Sequence, residues 1–239
     1  MKMPVWNRFV LGSILTLSLP ACVSLNMERV YPARRYFVLD LTRTPMAAPG
    51  NASGVLKLHR VRVSPPYDGK GFVYRLGPQV FETDFYHQFL AAPGAMIGEE
   101  LLENLQRSDL FQYVVNSASP VESTHQLEAI VDALYGDFTE EGTGKAVVRM
   151  SYVMSRDAAQ NPEVVFQKSY EKIIRLQERS PEALVQGLNR ALEEIVTTLI
   201  LDLRAAMSRR AWILQPGKVV LRTARRRGRG TACRAPYLF

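Results

Sequence analysis

The chain has 239 residues, of which 47% are hydrophobic and 22% are charged, and this ordinary globular composition excludes a wholly disordered or fibrous protein. The net charge of +7 is unevenly distributed along the chain: residues 208–239 hold nine Arg and Lys and no acid, whereas residues 22–207 have a net charge of −4. The central part is mildly acidic, which argues against a nucleic-acid-binding domain. Two cysteines and three scattered histidines exclude a disulfide framework and a zinc site.

The first 21 residues have the pattern of a secretory signal. Lys2 and Arg8 accompany an apolar run over residues 9–19, which is far shorter than the roughly 20 residues of a membrane-spanning helix. The run ends in LPAC at residues 19–22, which resembles the bacterial lipobox, where the cysteine is acylated and becomes the first mature residue. We predict a signal peptide over 1–21 and lipidation of Cys22. A plain secreted protein and an uncleaved anchor are the alternatives.

Residues 22–34 read as a short tether, and a folded domain is predicted over residues 35–207. The first half of this domain alternates strands with loops rich in Pro and Gly. The apolar residues change parity near His59 and Arg60, which indicates a bulge or twist. The predicted elements are strands at 35–41, 55–63, 72–76, 79–83 and 111–115, and a helix at 93–108.

The second half has a regular pattern. Strict alternation over 127–135 and 148–154, followed by a strand over 164–174, predicts an antiparallel meander. A helix then begins at Ser180, which supplies the N-cap, and an apolar stripe follows over residues 184–203. That stripe is either core packing or a groove for a partner. Together the halves predict a mixed α/β fold with one mixed sheet, an antiparallel C-terminal meander and two long helices packed on it.

The stretch FETDFYHQFL over residues 81–90 crowds aromatic side chains around acids and a histidine. Aromatic residues anchor protein interfaces, so Asp84, Phe85, Tyr86 and Phe89 are candidates for a partner contact. The alternative is that Phe85 and Phe89, four residues apart, pack into the core while Asp84 caps a turn.

Motifs typical of enzymes are missing from the sequence. It contains no Gly-x-Ser-x-Gly nucleophile elbow, no phosphate-binding loop and no dinucleotide glycine pattern. Asp84 with His87 would suit the orientation of a nucleophile, but no Ser or Cys is tied to them by a motif. We predict no catalytic residue, no metal and no cofactor.

The last segment, residues 208–239, is rich in Arg and Gly and has no apolar period. It predicts a basic disordered tail. Its cations would suit acidic lipid headgroups or nucleic acid, but a secreted location disfavours nucleic acid. A solvated extension without function is the other interpretation.

Residues 61–115, VRVSPPYDGKGFVYRLGPQVFETDFYHQFLAAPGAMIGEELLENLQRSDLFQYVV, resemble the ABC-type transport auxiliary lipoprotein family, which includes paraquat-inducible protein C. The matching features are the strand YFVL at 36–39, the segment GFVYRL, the aromatic-acidic stretch before a helix, and LYGDF at 134–138. The resemblance spans about residues 33–205.

This resemblance implies an outer-membrane lipoprotein that faces the periplasm of a Gram-negative bacterium. Such proteins work with an ABC transporter and a mammalian-cell-entry (MCE) domain protein in moving lipids between the two membranes. We therefore expect a non-catalytic adaptor that is held on the membrane by its lipid anchor, with a homo-oligomer as one of its assembly states. A structural or assembly lipoprotein of the outer membrane is the alternative. Val23 after the cysteine is not the Asp that retains many enteric lipoproteins at the inner membrane, which favours the outer membrane.

Overall fold

The computed structural model describes residues 32–41, 52–156 and 161–213. The predicted signal peptide, most of the tether, and residues 214–239 of the predicted tail lie outside these residues. Within the described part there are nine strands and two α-helices. They are β1 (Arg35–Phe37), β2 (Val55–Leu58), β3 (Arg62–Val63), β4 (Gly71–Arg75), β5 (Phe81–Phe89), α1 (Pro93–Arg107), β6 (Tyr113–Asn116), β7 (His125–Asp137), β8 (Lys145–Arg156), β9 (Glu163–Arg175) and α2 (Pro181–Ile213).

β7 is the central strand of a nine-stranded mixed sheet. Along one edge it pairs in parallel with three short strands in succession, β2, β3 and β4. Along the other edge it pairs antiparallel with β8, which pairs antiparallel with β9. The sheet continues from β2 to β6, and from β4 through β5 to β1. The predicted mixed α/β class with an antiparallel C-terminal meander is confirmed.

Three of the predicted N-terminal strands differ from the structure. The strand predicted over 79–83 is β5, which begins at Phe81 and continues to Phe89. The strand predicted over 55–63 is two strands, β2 and β3, and the break between them falls at the predicted change of parity. The strand predicted over 35–41 ends at Phe37, although Leu39 and Leu41 are only 1% and 3% exposed. The backbone N–H of Leu41 donates to Oε2 of Glu100 (3.3 Å). These leucines therefore pack in the core without extending the strand ladder.

Both predicted helices form and pack against the sheet. α1 contacts β3, β6 and α2, while α2 lies along β8 and β9. Ser180 caps α2 as predicted, because its Oγ accepts a hydrogen bond from the backbone N–H of Ala183 (3.1 Å). The apolar stripe of α2 is core rather than a partner groove, since Leu188, Leu192 and Leu199 are each at most 2% exposed. The helix continues to Ile213, beyond the predicted start of the tail at residue 208.

Candidate functional site

The aromatic-acidic stretch lies in β5 and contains a bulge. Thr83 pairs with Val73, and the next paired residue of β5, Gln88, lies opposite Gly71. Residues 84–87 therefore stand opposite the single residue Phe72, and we call them the β5 bulge. A bulge re-aims side chains and breaks the alternation of a strand. Here it separates side chains that simple strand spacing would place together.

Asp84 organises the β5 bulge through four hydrogen bonds. Its Oδ1 accepts the backbone N–H groups of Tyr86 (2.7 Å) and His87 (3.0 Å). Its Oδ2 accepts the hydroxyl of Tyr74 (2.9 Å) and lies 2.7 Å from Nδ1 of His87. The Asp84 side chain is 15% exposed. The alternative in which Asp84 caps a turn therefore describes its geometry better than a surface contact does.

These contacts shift the pKa values of the Asp84 carboxyl and the Tyr74 hydroxyl. Burial raises the pKa of the Asp84 carboxyl, but the hydrogen bonds from His87, Tyr74 and Tyr86 outweigh it, so the pKa lies below its ordinary value. Burial, and then the hydrogen bond to Asp84, raises the pKa of the Tyr74 hydroxyl. Asp84 is therefore a carboxylate at neutral pH, and Tyr74 is its neutral donor.

The four predicted contact residues do not share one surface. Phe85 is 58% exposed, and the guanidinium of Arg34 lies 4.0 Å from its ring centroid. The half-buried Tyr86 meets Phe85 edge to face, with ring centroids 5.3 Å apart. Phe89 is only 3% exposed, because it packs on Phe72 in the core with centroids 4.7 Å apart. A contact surface here consists of Phe85 and Tyr86, supported from beneath by Asp84, and does not include Phe89.

The β5 bulge lies where the chain enters the domain and where α2 begins. Arg35 of β1 is in register with His87, and the Arg35 guanidinium forms an ion pair with Glu182 in the first turn of α2. Our sequence reasoning missed Arg34 as a partner of Phe85. Arg34, Arg35 and Tyr36 are all exposed, so no alternation in this segment singles out Arg34.

Within the part of the chain that the structure describes, no Ser or Cys is hydrogen-bonded to Asp84 or His87 as a nucleophile would be. The hydrogen bonds of Asp84 reach His87, Tyr74 and the backbone of the bulge rather than a Ser or Cys. Among residues 32–41, 52–156 and 161–213, no group of three or more His, Cys, Asp and Glu side chains is placed to hold a metal ion. No helix of the described part is both long and apolar enough to cross a membrane.

A family model described as "ABC-type transport auxiliary lipoprotein component" matches residues 37–199, more than half of the chain. The protein belongs to this family. The family therefore covers the whole sheet beyond β1, including the β5 bulge, as well as α1 and most of α2. An auxiliary lipoprotein of ABC-type transport is a membrane-anchored protein of the cell envelope, so the predicted class of function is confirmed at that level.

Solved structures share the fold of this family member. Protein XCC0632 from Xanthomonas campestris, assigned to the DUF330 family, is 13% identical, with a TM-score of 0.65 over 74% of this chain and 99% of that one. A structure described only as an uncharacterized protein is 15% identical, with a TM-score of 0.56 over 71% of this chain and 98% of its own. No curated protein sequence matches this chain. At these identities the likeness establishes the fold alone.

Proposed function

We propose that this family member is a non-catalytic adaptor of an intermembrane lipid transport system, with ABC transporter components and an MCE-domain protein as its partners. The observation that carries the proposal is the family match over residues 37–199. The contact would be centred on Phe85, whose ring is 58% exposed, with Tyr86 beside it. Aromatic side chains supported by ordered neighbours are typical anchors of protein interfaces.

The proposed anchor is an acylated Cys22 at the periplasmic face of the outer membrane. Several acyl chains on one cysteine would hold the domain on the bilayer almost irreversibly, since each buried methylene contributes about 0.8 kcal/mol. Confinement near one membrane raises the effective concentration of the domain for a partner that reaches across the periplasm. A weak contact at Phe85 would then be sufficient. The same confinement would favour association of copies of the chain with one another.

Two observations support an adaptor rather than a lipid carrier. The inner face of the sheet is filled by tightly packed side chains, including Met150, Tyr152 and Met154, each at most 1% exposed. One cleft in the described part of the chain, lined by Leu58, Val61 and Leu102 among others, has a volume of about 300 Å³, which is at the lower end of the range of small-molecule pockets. Such a cleft is a small space for a phospholipid with two acyl chains.

A pull-down of the full chain with the MCE-domain protein tests the proposal. We expect Phe85→Ala to raise the dissociation constant about tenfold or more, because the change removes an interface anchor. Tyr113→Ala is the matched control, since Tyr113 is 59% exposed but lies on β6 rather than near the bulge. Equal binding by both variants would place the contact elsewhere.

Two outcomes would overturn the adaptor function itself. Stoichiometric phospholipid on the purified protein, without MCE binding, would make the protein a lipid carrier. Binding of neither lipid nor MCE protein would favour the structural or assembly lipoprotein.

A further inference from the structure

A patch of exposed apolar side chains lies beside the β5 bulge, at the edge of the sheet. Tyr36 is 54% exposed, Val38 is 49% exposed and Leu90 is 57% exposed. Tyr36 and Val38 share one parity of the chain, while Phe37 between them faces the core side and pairs with Phe89. We call Tyr36, Val38 and Leu90 the strand-edge patch.

The strand-edge patch is continuous in space. The backbone N–H of Leu90 donates to the carbonyl of Phe37 (2.8 Å), so the chain direction of β5 continues alongside β1 as far as Val38. Tyr36 pairs with Gln88 in the parallel register, and the hydrogen bond from Leu90 to Phe37 places Leu90 next to Val38. Exposed apolar side chains that are contiguous, rather than scattered singly, mark an interaction surface.

Cations lie close to the strand-edge patch. Arg34 stacks over Phe85 at one end, and Nζ of Lys70 donates to the carbonyl of Leu90 (3.0 Å) at the other. One acid, the exposed Asp40, follows Val38 along the chain, and Arg35 is already paired with Glu182. Apolar and aromatic groups with Arg and Lys at their rim suit the boundary of an anionic bilayer, where the ring enters the headgroup layer and the cations meet phosphates.

The length of the preceding chain limits how far this patch can lie from a membrane. If Cys22 is acylated, residues 23–33 separate it from Arg34, and that stretch spans at most about 40 Å when fully extended. The strand-edge patch begins at the second residue after Arg34. It is therefore part of the folded surface that follows the anchor most closely along the chain, and confinement favours even a weak contact with the bilayer.

We propose that Tyr36, Val38 and Leu90 rest on the headgroup layer of the membrane that holds Cys22, with Arg34 and Lys70 facing lipid phosphates. The inference depends on the proposed lipid anchor and goes beyond the proposed adaptor function. It fixes the orientation of the domain, because the β5 bulge then lies at the membrane surface. A partner bound at Phe85 would meet the bilayer where lipid enters or leaves it.

Tryptophan quenching by brominated lipid tests the orientation. The full lipidated chain is placed in vesicles of phosphatidylethanolamine and brominated phosphatidylglycerol, with Trp212→Phe to remove background fluorescence. The probe is Tyr36→Trp, and the matched control is Tyr113→Trp on β6, where the native tyrosine has a similar exposure of 59%. We expect the brominated lipid to reduce the emission of the Tyr36→Trp variant about twofold or more, and that of the control by much less.

Equal quenching of the two variants would overturn the proposal. Weak quenching in vesicles, together with burial of the side chain at position 36 in detergent, would overturn the proposal too, because a second copy of the chain would then cover the patch. Palmitate labelling of the same preparations shows whether the lipid anchor is present, and an MCE pull-down shows whether the adaptor function is intact. A failure of the membrane contact is thereby distinguished from a failure of either of these. A Leu90→Ser variant that keeps its MCE affinity but loses the quenching of the Tyr36→Trp probe would support separate roles for the patch and for Phe85.

Discussion

Replacing Asp84 by Ala removes the acceptor that holds the β5 bulge together. The substitution breaks four hydrogen bonds, two to backbone N–H groups and two to the side chains of Tyr74 and His87. A hydrogen bond to a charged group contributes about 1.5–3 kcal/mol to stability, but donors near the surface regain water when the acceptor is lost. We expect the free energy of unfolding to fall by about 3 kcal/mol in total, which corresponds to a melting temperature lower by about 6–12 °C.

Urea denaturation followed by circular dichroism measures this loss. Asp68→Ala is the matched control, because Asp68 is exposed in the loop before β4, and we expect it to change stability by less than about 0.5 kcal/mol. If both variants unfold at the same urea concentration, Asp84 does not organise the bulge. The conservative Asp84→Asn keeps one acceptor oxygen for the backbone N–H groups and should lose only part of the stability.

Acid provides a second check on Asp84. The pKa of its carboxyl is lower in the folded protein, so its contribution is complete above the unfolded value of about 3.9 and is lost as the pH falls through the folded value. Asn does not titrate. The stability difference between the wild type and Asp84→Asn should therefore shrink below about pH 4. A difference that stays constant down to the acid transition would contradict the assigned hydrogen bonds.

Two further outcomes can be measured directly. Gly187→Ala should destabilise the protein although Ala is the better helix former, because the added Cβ would lie 2.8 Å from the Cβ of Ala146. Gly98→Ala should stabilise the protein by about 0.5–1 kcal/mol, because its Cβ would meet Val61 at an ordinary contact distance of 3.5 Å. Thermal melts in which Gly187→Ala is the more stable variant would refute this packing. Cys22→Ser should abolish incorporation of labelled palmitate, and label that persists in this variant would exclude Cys22 as the lipidation site.

The periodicity of apolar residues in the sequence was sufficient to predict the long strands and the long helix. The alternation over 127–135 predicted β7, and the apolar stripe of residues 184–203 predicted the buried face of α2, because burial on one side repeats with the period of the element. Local chemistry also located the Ser180 cap and the hairpin at residues 77–78, where β4 and β5 pair antiparallel. These features depend on neighbours close in the chain, so a single sequence contains them.

Only the tertiary structure decided which strands pair and which aromatic residues face solvent. Strands β2, β3 and β4 pair with β7 through backbone N–H and C=O groups, which every strand carries. The side-chain pattern of a strand therefore does not reveal which strand pairs with it. In β5, Phe85 and Phe89 have a spacing that also fits joint packing, yet Phe85 is 58% exposed and Phe89 is 3% exposed. Asp84 produces that separation by binding backbone N–H groups and Tyr74, and Tyr74 reaches it only through the pairing of β4 with β5.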